Sequence, residues 1–290
     1  MHLLHIHKKS VYSLHQTTYG MFLFSKKKKE SHPYKIGLAL SGGGARGFAH
    51  VGALQALEEY GLKPDIIAGT SAGSIVGSFY SDGYSPHEIM KIFSDMDIHE
   101  LVEVTLPRKG FLKYDKFIAF LQKHLRAKRI EDLTHPMLIA ATDFDHGKSV
   151  IFDHGDLAVR IAASCSIPIV FSPIEIDGIN YVDGGVLRNL PATPLRDLCD
   201  VVIGVNVTPL QREKYSHNII AIAERAYNYL ACGNVFPDLA LCDILIEHQD
   251  VGDYNVFDLK AQQEIAALGY NSTKNVLESL SDEQRKLLKR

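Results

Sequence analysis

Short apolar runs alternate with longer segments of helical periodicity along most of the chain. The runs are of strand length and carry few charges, as expected of strands buried in a sheet. They are KIGLAL, DIIAG, PMLIAAT, SVIFD, INYVDGG, DVVIGVNV and DILIEH. The segments with helical periodicity include Phe48 to Tyr60, Ser74 to Tyr80 and Pro86 to Met96. This alternation predicts an α/β fold of packed layers around a largely parallel sheet.

The pattern divides the chain into three parts without an internal repeat or a low-complexity linker. Residues 1–34 are basic and rich in histidine, and we expect them to form a disordered tail. Residues 35–208 contain the α/β core, and residues 209–290 form a helical and strand-containing extension that completes the same domain. Within the core, the mainly helical segment between Asp97 and His135 predicts a cap over one edge of the sheet. Near the C-terminus, Ser272 to Leu288 has the periodicity of one amphipathic helix.

Composition and charge argue against several classes of protein. The net charge of -3, without a basic stripe in the body of the chain, gives no reason to expect nucleic acid as a partner. Sparse cysteines without a C-x-x-C pair fit a reducing compartment, and we expect a cytoplasmic location. The run MFLF is too short for a transmembrane helix or a secretory signal. Residues 22–29 join most of this run to four lysines and predict peripheral contact with a membrane, and Met21 just before them is a hypothetical alternative start.

The stretch KIGLALSGGGARGFAHVGALQALEEYG passes from a strand through a glycine-rich loop into a helix. Gly42, Gly44 and Gly47 match the G-x-G-x-x-G fingerprint of dinucleotide-binding proteins. However, backbone amides at the N-terminus of a helix stabilise any anion, including one that exists only during a reaction. A dinucleotide site also needs an acidic residue at the end of the second strand, and Asp65 stands before that strand instead. The dinucleotide interpretation therefore lacks its confirming feature.

The stretch DIIAGTSAGSIVGSFYSDG repeats the order of strand, tight turn and helix. Its turn, from Gly69 to Gly73, matches the G-x-S-x-G nucleophile elbow, in which a strained backbone presents a serine, here Ser71, at the start of a helix. Two successive strand–turn–helix units bring this serine and the glycine loop to the same edge of a parallel sheet. The loop is then expected to form an oxyanion hole for a tetrahedral acyl intermediate.

A nucleophilic serine needs a base, and the sequence offers one in INYVDGGVLRNLP. Asp183 ends a predicted strand there and directly precedes Gly184 and Gly185, which let the backbone and a substrate come close. An aspartate followed by glycine is also a common β-turn pair, so this motif alone leaves a structural role equally open.

Taken in order, the glycine loop, the elbow and the Asp-Gly-Gly turn closely resemble the motifs of the patatin-like phospholipases, in particular their compact bacterial members. The resemblance covers roughly Ile36 to Thr208 and includes SCSIPIVFSP ahead of the last motif. It implies a three-layer fold in which helices flank a mostly parallel central sheet, and a lipid acyl hydrolase that acts on lipid or acyl-ester substrates. One departure is Ser41, where plant-type members more often carry aspartate.

The resemblance also implies roles for individual residues. Ser71 would be the nucleophile and Asp183 the base of a catalytic dyad. The oxyanion amides would come from Gly42, Gly43 and Gly44. The supporting motif residues are Arg46, Gly47, Gly69, Gly73, Gly184 and Gly185. No metal-ligand or Walker lysine motif occurs in the sequence, so we expect no metal and no cofactor.

Four residues in or near these motifs have structural explanations. Arg46 is expected to pin the glycine loop through a carboxylate rather than to contact a lipid phosphate. His50, at the buried start of the first helix, is expected to be a hydrogen-bonded packing residue. Asp143 and Asp145 lie in TDFDHGK, a predicted hairpin turn, and lack the later ligands of a calcium loop.

Two other functions remain open from the sequence. An α/β-hydrolase with a Ser-Asp-His triad needs a histidine after the acid, and His217 and His248 satisfy that order. A non-catalytic lipid- or acyl-sensing module would keep the same fold. Loss of activity in histidine variants would favour the triad, whereas binding without turnover would favour the sensing module.

Overall fold

The computed structural model describes residues 32–94, 103–104, 112–209, 218–254 and 259–289. Residues 1–31 of the predicted tail lie outside these ranges, and they include Met21 and residues 22–29. His217 also lies outside them. The predicted cap between Asp97 and His135 is described only in part. Within the described ranges, no helix is both long enough and apolar enough to cross a lipid bilayer.

Strands and helices alternate through most of the described chain. The strands are β1 (Tyr34–Leu40), β2 (Ile66–Thr70), β3 (Glu103–Val104), β4 (Leu112–Lys113), β5 (Met137–Asp143), β6 (Lys148–Phe152), β7 (Ile174–Ile176), β8 (Ile179–Asp183), β9 (Cys199–Asn206) and β10 (Ile244–Glu247). The helices are α1 (Phe48–Glu59), α2 (Ala72–Ser81), α3 (Pro86–Ser94), α4 (Asp115–His124), α5 (Leu157–Ser164), α6 (Thr193–Arg196), α7 (Ile219–Gly233), α8 (Phe236–Leu239), α9 (Gln262–Glu278) and α10 (Asp282–Lys289). Short 3-10 turns at Gly44–Gly47 and Gly184–Val186 carry two of the glycine motifs.

The central sheet is mixed but mostly parallel. Its order is β10-β9-β1-β2-β5-β8-β7, and β6 pairs with β5 outside this path. The strands from β10 to β5 run parallel, whereas β6, β7 and β8 pair antiparallel. Helices pack against this sheet, so the predicted fold class is confirmed. Strand β10, from the predicted C-terminal extension, continues the sheet beyond β9.

The parallel strands are buried and are covered by closely packed helices. In β1, Leu38, Ala39 and Leu40 are fully buried, which explains why this strand is a continuous apolar run rather than an alternating one. In one covering layer, α1 and α9 cross at a very short distance. A Cβ atom on Gly52 would lie 1.9 Å from the carbonyl oxygen of Ala266, so only glycine allows the two backbones to approach this closely.

Strand β5 brings the ends of β2 and β8 together. Strand β2 runs parallel to β5, and its last pair joins Thr70 to Ala140. Strand β8 runs antiparallel to β5, and its last residue, Asp183, pairs with the next residue of β5, Ala141. The two strands therefore approach the same point from opposite directions, which brings Ser71, the residue after β2, to the end of β8.

The C-terminal helix differs from the expectation of one helix over Ser272 to Leu288. The structure has two helices, α9 and α10, with a break between them. The hydroxyl of Ser281 accepts a hydrogen bond from the Gln284 amide at 3.2 Å, and the Gln284 side chain accepts one from the Ser281 amide at 3.0 Å. This reciprocal capping starts a new helix at Asp282. Apolar periodicity misses the break because it registers buried positions and not capping hydrogen bonds.

Candidate active site

Ser71 occupies the sharp turn between β2 and α2. Its backbone has a φ of 49° and a ψ of -121°, and a positive φ is costly for a residue with a Cβ atom. The Ser71 amide donates to the Ser164 hydroxyl at 2.8 Å, and that hydroxyl donates to the carbonyl of Ala140 at 2.6 Å. These bonds hold Ser71 at the N-terminus of α2, where the helix dipole favours a negative charge.

The glycines of the G-x-S-x-G turn have a steric reason. A Cβ atom on Gly69 would lie 2.4 Å from the carbonyl oxygen of Gly73, and one on Gly73 would lie 2.3 Å from that of Leu40. Strand and helix can therefore meet this closely only where side chains are missing. Gly47 lets the two strand–turn–helix units pack against each other, because its Cβ atom would lie 2.5 Å from that of Ala72 at the start of α2.

Asp183 ends β8 next to this turn and is fully buried. Its Oδ1 atom accepts a hydrogen bond from the Gly185 amide at 2.8 Å. Its backbone is fixed as well, since the Asp183 amide donates to the Ser166 carbonyl at 2.9 Å and the Thr142 hydroxyl donates to the Asp183 carbonyl at 3.0 Å. The carboxylate is therefore held in one orientation.

The electrostatic environment of Asp183 makes it a stronger base than an exposed aspartate. Burial raises the pKa of its carboxyl from 3.8 to about 6, while the nearby Ser71 side chain, the hydrogen bond from the Gly185 amide and the nearby Tyr227 side chain oppose that rise. No donor among the described residues reaches the other carboxylate oxygen, Oδ2, with full hydrogen-bond geometry. The Ser71 and Tyr227 side chains therefore lower the pKa of this carboxyl from nearby, without a hydrogen bond of full geometry. At pH 7 the group is mostly ionised, yet it accepts a proton readily.

Tyr227 joins the site from α7 and belongs to none of the sequence motifs. Its hydroxyl lies so close to the Asp-Gly-Gly turn that a Cβ atom on Gly185 would be 2.2 Å from the oxygen. Burial and the nearby Asp183 carboxylate raise the pKa of the phenol well above its usual value, so it stays protonated and can donate. Periodicity predicts a helix here, but it does not predict which side chain reaches the site, because that depends on how the helix docks.

The glycine loop after β1 lies against the serine, and a Cβ atom on Gly42 would be 3.2 Å from the Cβ atom of Ser71. The Gly42 amide donates to the Asn189 carbonyl at 3.1 Å, so in this conformation Gly42 anchors the loop and offers no free donor. The amides of the half-buried Gly43 and the exposed Gly44 pair with no acceptor in the part of the chain that the structure describes. Of the three predicted oxyanion donors, Gly43 and Gly44 therefore have amides open to a ligand in this conformation.

Arg46 is buried below the loop and binds backbone carbonyls. Its Nε atom donates to the carbonyl of Tyr254 at 2.8 Å, and its Nη2 atom donates to that of Gly252 at 3.0 Å. These contacts with carbonyl oxygens of a distant segment fit the expected structural role. Arg46 therefore ties the glycine loop to the C-terminal extension.

Among the described residues, the hydrogen bonds of His50 and His248 go to partners other than Ser71 and Asp183. The Nδ1 atom of His248 hydrogen-bonds the Ser272 hydroxyl on α9, and burial lowers the His248 pKa to about 3. His50 donates from Nε2 to the carbonyl of Ser41 at 2.8 Å, and burial lowers its pKa to about 4. Neither ring is among the groups that act on the Asp183 carboxyl. Both rings therefore have structural partners.

Asp143 and Asp145 have partners in and beside the turn between β5 and β6. The Asp143 carboxylate accepts a hydrogen bond from the His146 amide at 3.0 Å. The Asp145 carboxylate accepts one from the Asn180 amide at 2.9 Å. These contacts account for both acidic residues as turn residues.

Sequence comparisons identify relatives over the part of the chain that carries this site. The family model of the patatin-like phospholipases matches residues 38–196. An uncharacterized NTE family protein of Mycobacterium tuberculosis is 36% identical over 176 residues, which cover 60% of this chain and 49% of that protein. Lysophospholipase NTE1 of Saccharomyces cerevisiae is 32% identical over 182 residues, which cover 59% of this chain and 11% of that protein. The chain thus spans half or less of the length of these relatives.

A solved structure shares the fold. VipD from Legionella pneumophila superposes with a TM-score of 0.54 at 15% identity, covering 85% of this chain and 67% of VipD. At this identity the likeness concerns the fold alone. The family match is the stronger finding, since it extends over more than half of the chain and includes the glycine loop, Ser71 and Asp183. By that match the chain belongs to the patatin-like phospholipase family.

Proposed function

We propose that this protein is a serine acyl hydrolase that cleaves fatty-acyl esters of lipids through a dyad of Ser71 and Asp183. The observation that carries the proposal is the meeting of β2 and β8 at neighbouring residues of β5, where Ser71 follows the end of β2 and the buried Asp183 ends β8. Burial raises the pKa of the Asp183 carboxyl to about 6. Ser71 also stands at the start of α2, where the helix dipole eases formation of an alkoxide. A nucleophile, a base and an anion-stabilising helix terminus therefore meet at one point.

In the first half of the proposed reaction, the Ser71 oxygen attacks the acyl carbonyl carbon while Asp183 accepts the hydroxyl proton. The carbonyl oxygen becomes an anion in the tetrahedral intermediate, and the free amides of Gly43 and Gly44 donate hydrogen bonds to it. The intermediate collapses when the ester C–O bond breaks, and Asp183 gives its proton to the departing alcohol. Ser71 is left carrying the acyl group.

In the second half, a water molecule attacks the acyl group on Ser71 and gives a proton to Asp183. A second tetrahedral anion forms and is stabilised by the same amides. When the bond to the Ser71 oxygen breaks, Asp183 returns the proton to that oxygen and the fatty acid leaves. One residue thus serves as base and then as acid in each half.

The proposed substrate class follows from the family and from a relative. The family is that of the patatin-like phospholipases, and the yeast relative is named a lysophospholipase. Phospholipids and lysophospholipids are therefore the first substrates to test. The cytoplasmic location stays a prediction. The membrane contact through residues 22–29 also stays one, because that segment lies outside the described residues.

The alternatives gain no support from the described residues. A Ser-Asp-His triad would need a histidine at the carboxylate, whereas His248 bonds to Ser272 instead. A non-catalytic sensing module would not need a buried carboxylate with a raised pKa at the elbow serine. We therefore propose neither.

Hydrolysis of lysophosphatidylcholine and phosphatidylcholine by the wild type and by Ser71→Ala tests the proposal. The matched control is Ser78→Ala, because Ser78 lies on the same helix, is fully buried, and its hydroxyl has no partner among the described residues. We expect Ser71→Ala to lose about three orders of magnitude or more in kcat and Ser78→Ala to keep most activity. Fatty-acid release by Ser71→Ala at the wild-type rate would contradict the dyad.

A further inference from the structure

One face of α7 is apolar although it is exposed to solvent. Every exposed position of this helix whose side chain the structure describes is apolar or aromatic. These positions, which we call the α7 apolar face, are Ile219, Ile222, Ala226, Tyr229, Leu230 and Gly233. A surface helix of a globular protein ordinarily directs polar residues to the solvent. Contiguous exposed apolar surface of this kind marks a site of interaction with a protein or a membrane.

The region next to the α7 apolar face has the composition of a membrane interface. Phe236, at the start of α8, is 68% exposed and follows the face along the chain. Arg225 is half-buried at the border of the face, and its guanidinium lies 4.6 Å from the centre of the Tyr229 ring. Apolar and aromatic side chains with a cation at the border are typical of helices that lie in the plane of a lipid interface.

Other residues of this helical region attach it to the candidate active site. Tyr227 reaches the Asp-Gly-Gly turn and acts on the Asp183 carboxyl. Asn234, which follows α7, donates from Nδ2 to the carbonyl of Gly185 at 2.8 Å and accepts from the Asn189 amide at 2.8 Å. The α7 apolar face is therefore held at a fixed position next to the nucleophile and its base.

We propose that the α7 apolar face inserts into the surface of a lipid aggregate and orients the active site toward it. This inference rests on the proposed function, because an acyl hydrolase for lipids must reach substrates that are packed in bilayers or micelles. Helix α7 links the active site to the lipid surface. One of its sides reaches Asp183 through Tyr227, and another exposes apolar residues to the solvent. The proposed partner of the α7 apolar face is thus a lipid surface.

The size of the exposed patch favours a lipid surface over a second copy of the chain. The large side chains of the α7 apolar face, together with Phe236, are between 50% and 69% exposed. They are Ile219, Ile222, Tyr229, Leu230 and Phe236. Since a large aromatic side chain buries about 150–250 Å² in full, these five offer less than the roughly 800 Å² per partner of a standard protein interface. A lipid surface has no such minimum, because insertion of a few side chains already removes apolar area from water.

A tryptophan introduced into the α7 apolar face tests the proposal, because the chain contains no tryptophan of its own. The reporter is Ile222→Trp, at a position 50% exposed, and its matched control is Phe144→Trp, at a position 52% exposed in the turn between β5 and β6. Both full-length variants are mixed with neutral phosphatidylcholine vesicles at high salt, which suppresses any contribution of the lysines in residues 22–29. We expect a blue shift and quenching by brominated lipid for Ile222→Trp only.

Unchanged emission of Ile222→Trp with vesicles, or an equal shift in Phe144→Trp, would overturn the proposal. A blue shift that appears without vesicles as the protein is concentrated would also overturn it, in favour of a second copy of the chain. The readout requires no turnover, so it stands even if the proposed hydrolysis fails.

A variant that introduces charge into the α7 apolar face separates surface binding from chemistry. Ile219→Glu combined with Ile222→Glu should keep hydrolysis of a soluble short-chain ester within about twofold of the wild type and lose at least tenfold on phosphatidylcholine vesicles. Equal loss on both substrates, or none on vesicles, would contradict the proposal. A wild-type protein that hydrolyses neither substrate would instead contradict the proposed function, and the tryptophan reporter would then decide the role of the face.

Discussion

Tyr227 reaches from α7 to the Asp183 carboxyl and lowers the pKa that burial has raised. The two residues are separated along the chain, and Tyr227 lies beyond residues 38–196, the range that matches the family model. The C-terminal extension therefore contributes to the electrostatics of the candidate base. This contact leads to predictions about pH dependence that distinguish Asp183 from the histidines.

The wild-type enzyme should lose activity at acidic pH through one ionisation. Because the carboxyl of Asp183 must be ionised to accept a proton and burial raises its pKa to about 6, kcat/KM should fall about tenfold for each pH unit below that value. His248→Gln should keep this profile, since burial lowers the His248 pKa to about 3. A pH profile of both proteins on a soluble ester provides the check. Disappearance of the acid limb in His248→Gln would assign the limb to the histidine.

Tyr227→Phe should move the acid limb to higher pH. Loss of the phenol hydroxyl removes an interaction that favours the ionised carboxylate, and an interaction of at most about 1 kcal/mol corresponds to a shift of up to roughly 0.7 pH unit. The control is Tyr229→Phe, because Tyr229 lies on the same helix but is 52% exposed. We expect its profile to match the wild type, with kcat on the alkaline plateau largely kept in both variants. An unshifted limb in Tyr227→Phe would show that the tyrosine has only a packing role.

Asp183→Asn should abolish most activity and stabilise the fold. It retains the shape of the side chain but removes the basic oxygen, so kcat should fall by about three orders of magnitude or more. In the wild type, ionising this carboxyl in the folded state costs about 3 kcal/mol, since one pKa unit equals about 1.4 kcal/mol. The cost is absent below the unfolded-state pKa of 3.8, grows as the pH rises, and is complete above about 6.

Urea unfolding of the two proteins at pH 4 and at pH 8 measures that cost. We expect similar stability at pH 4 and a more stable Asp183→Asn variant at pH 8. A variant that is less stable at pH 8 would mean that the ionised carboxylate stabilises the fold, contrary to a pKa raised by burial.

The motif residues could be predicted from the sequence because the reasons for them are local. Gly69 and Gly73 are required where a strand meets a helix across a few residues, and this requirement is visible as a spacing. The same holds for Ser71 between them. The sequence leaves the role of Asp183 open because an Asp-Gly turn also has a local explanation, and only the shared strand β5 brings Asp183 to the end of β2.

The remaining features depend on contacts between segments that are distant in the sequence. The Gly42 amide bonds to Asn189, and Arg46 bonds to the carbonyls of Gly252 and Tyr254. Tyr227 likewise depends on how α7 docks. Such pairings leave no periodicity or spacing in a single sequence, so the anchoring of the loop and the tuning of the base required the structure.

Gly52→Ala should destabilise the protein where α1 crosses α9. Its Cβ atom would lie 1.9 Å from the Ala266 carbonyl oxygen, and forcing an atom into a packed contact typically costs about 1–3 kcal/mol. Gly233→Ala is the control, because a Cβ atom there meets nothing within 4 Å and alanine favours a helix by about 0.5–1 kcal/mol. Thermal unfolding should show a lower Tm for Gly52→Ala and an equal or higher Tm for Gly233→Ala. Equal Tm values for Gly52→Ala and the wild type would contradict the close crossing.

Covalent labelling with a fluorophosphonate probe tests directly whether Ser71 is the nucleophile, on which the proposed mechanism depends. The probe reacts only with a serine whose hydroxyl is activated by a base and whose product anion is stabilised. After labelling of the wild type, digestion and peptide mass spectrometry should find the adduct on Ser71, while Ser71→Ala stays unlabelled and Ser78→Ala is labelled like the wild type. An adduct on another serine with Ser71 unmodified, or equal labelling of Ser71→Ala, would contradict the account.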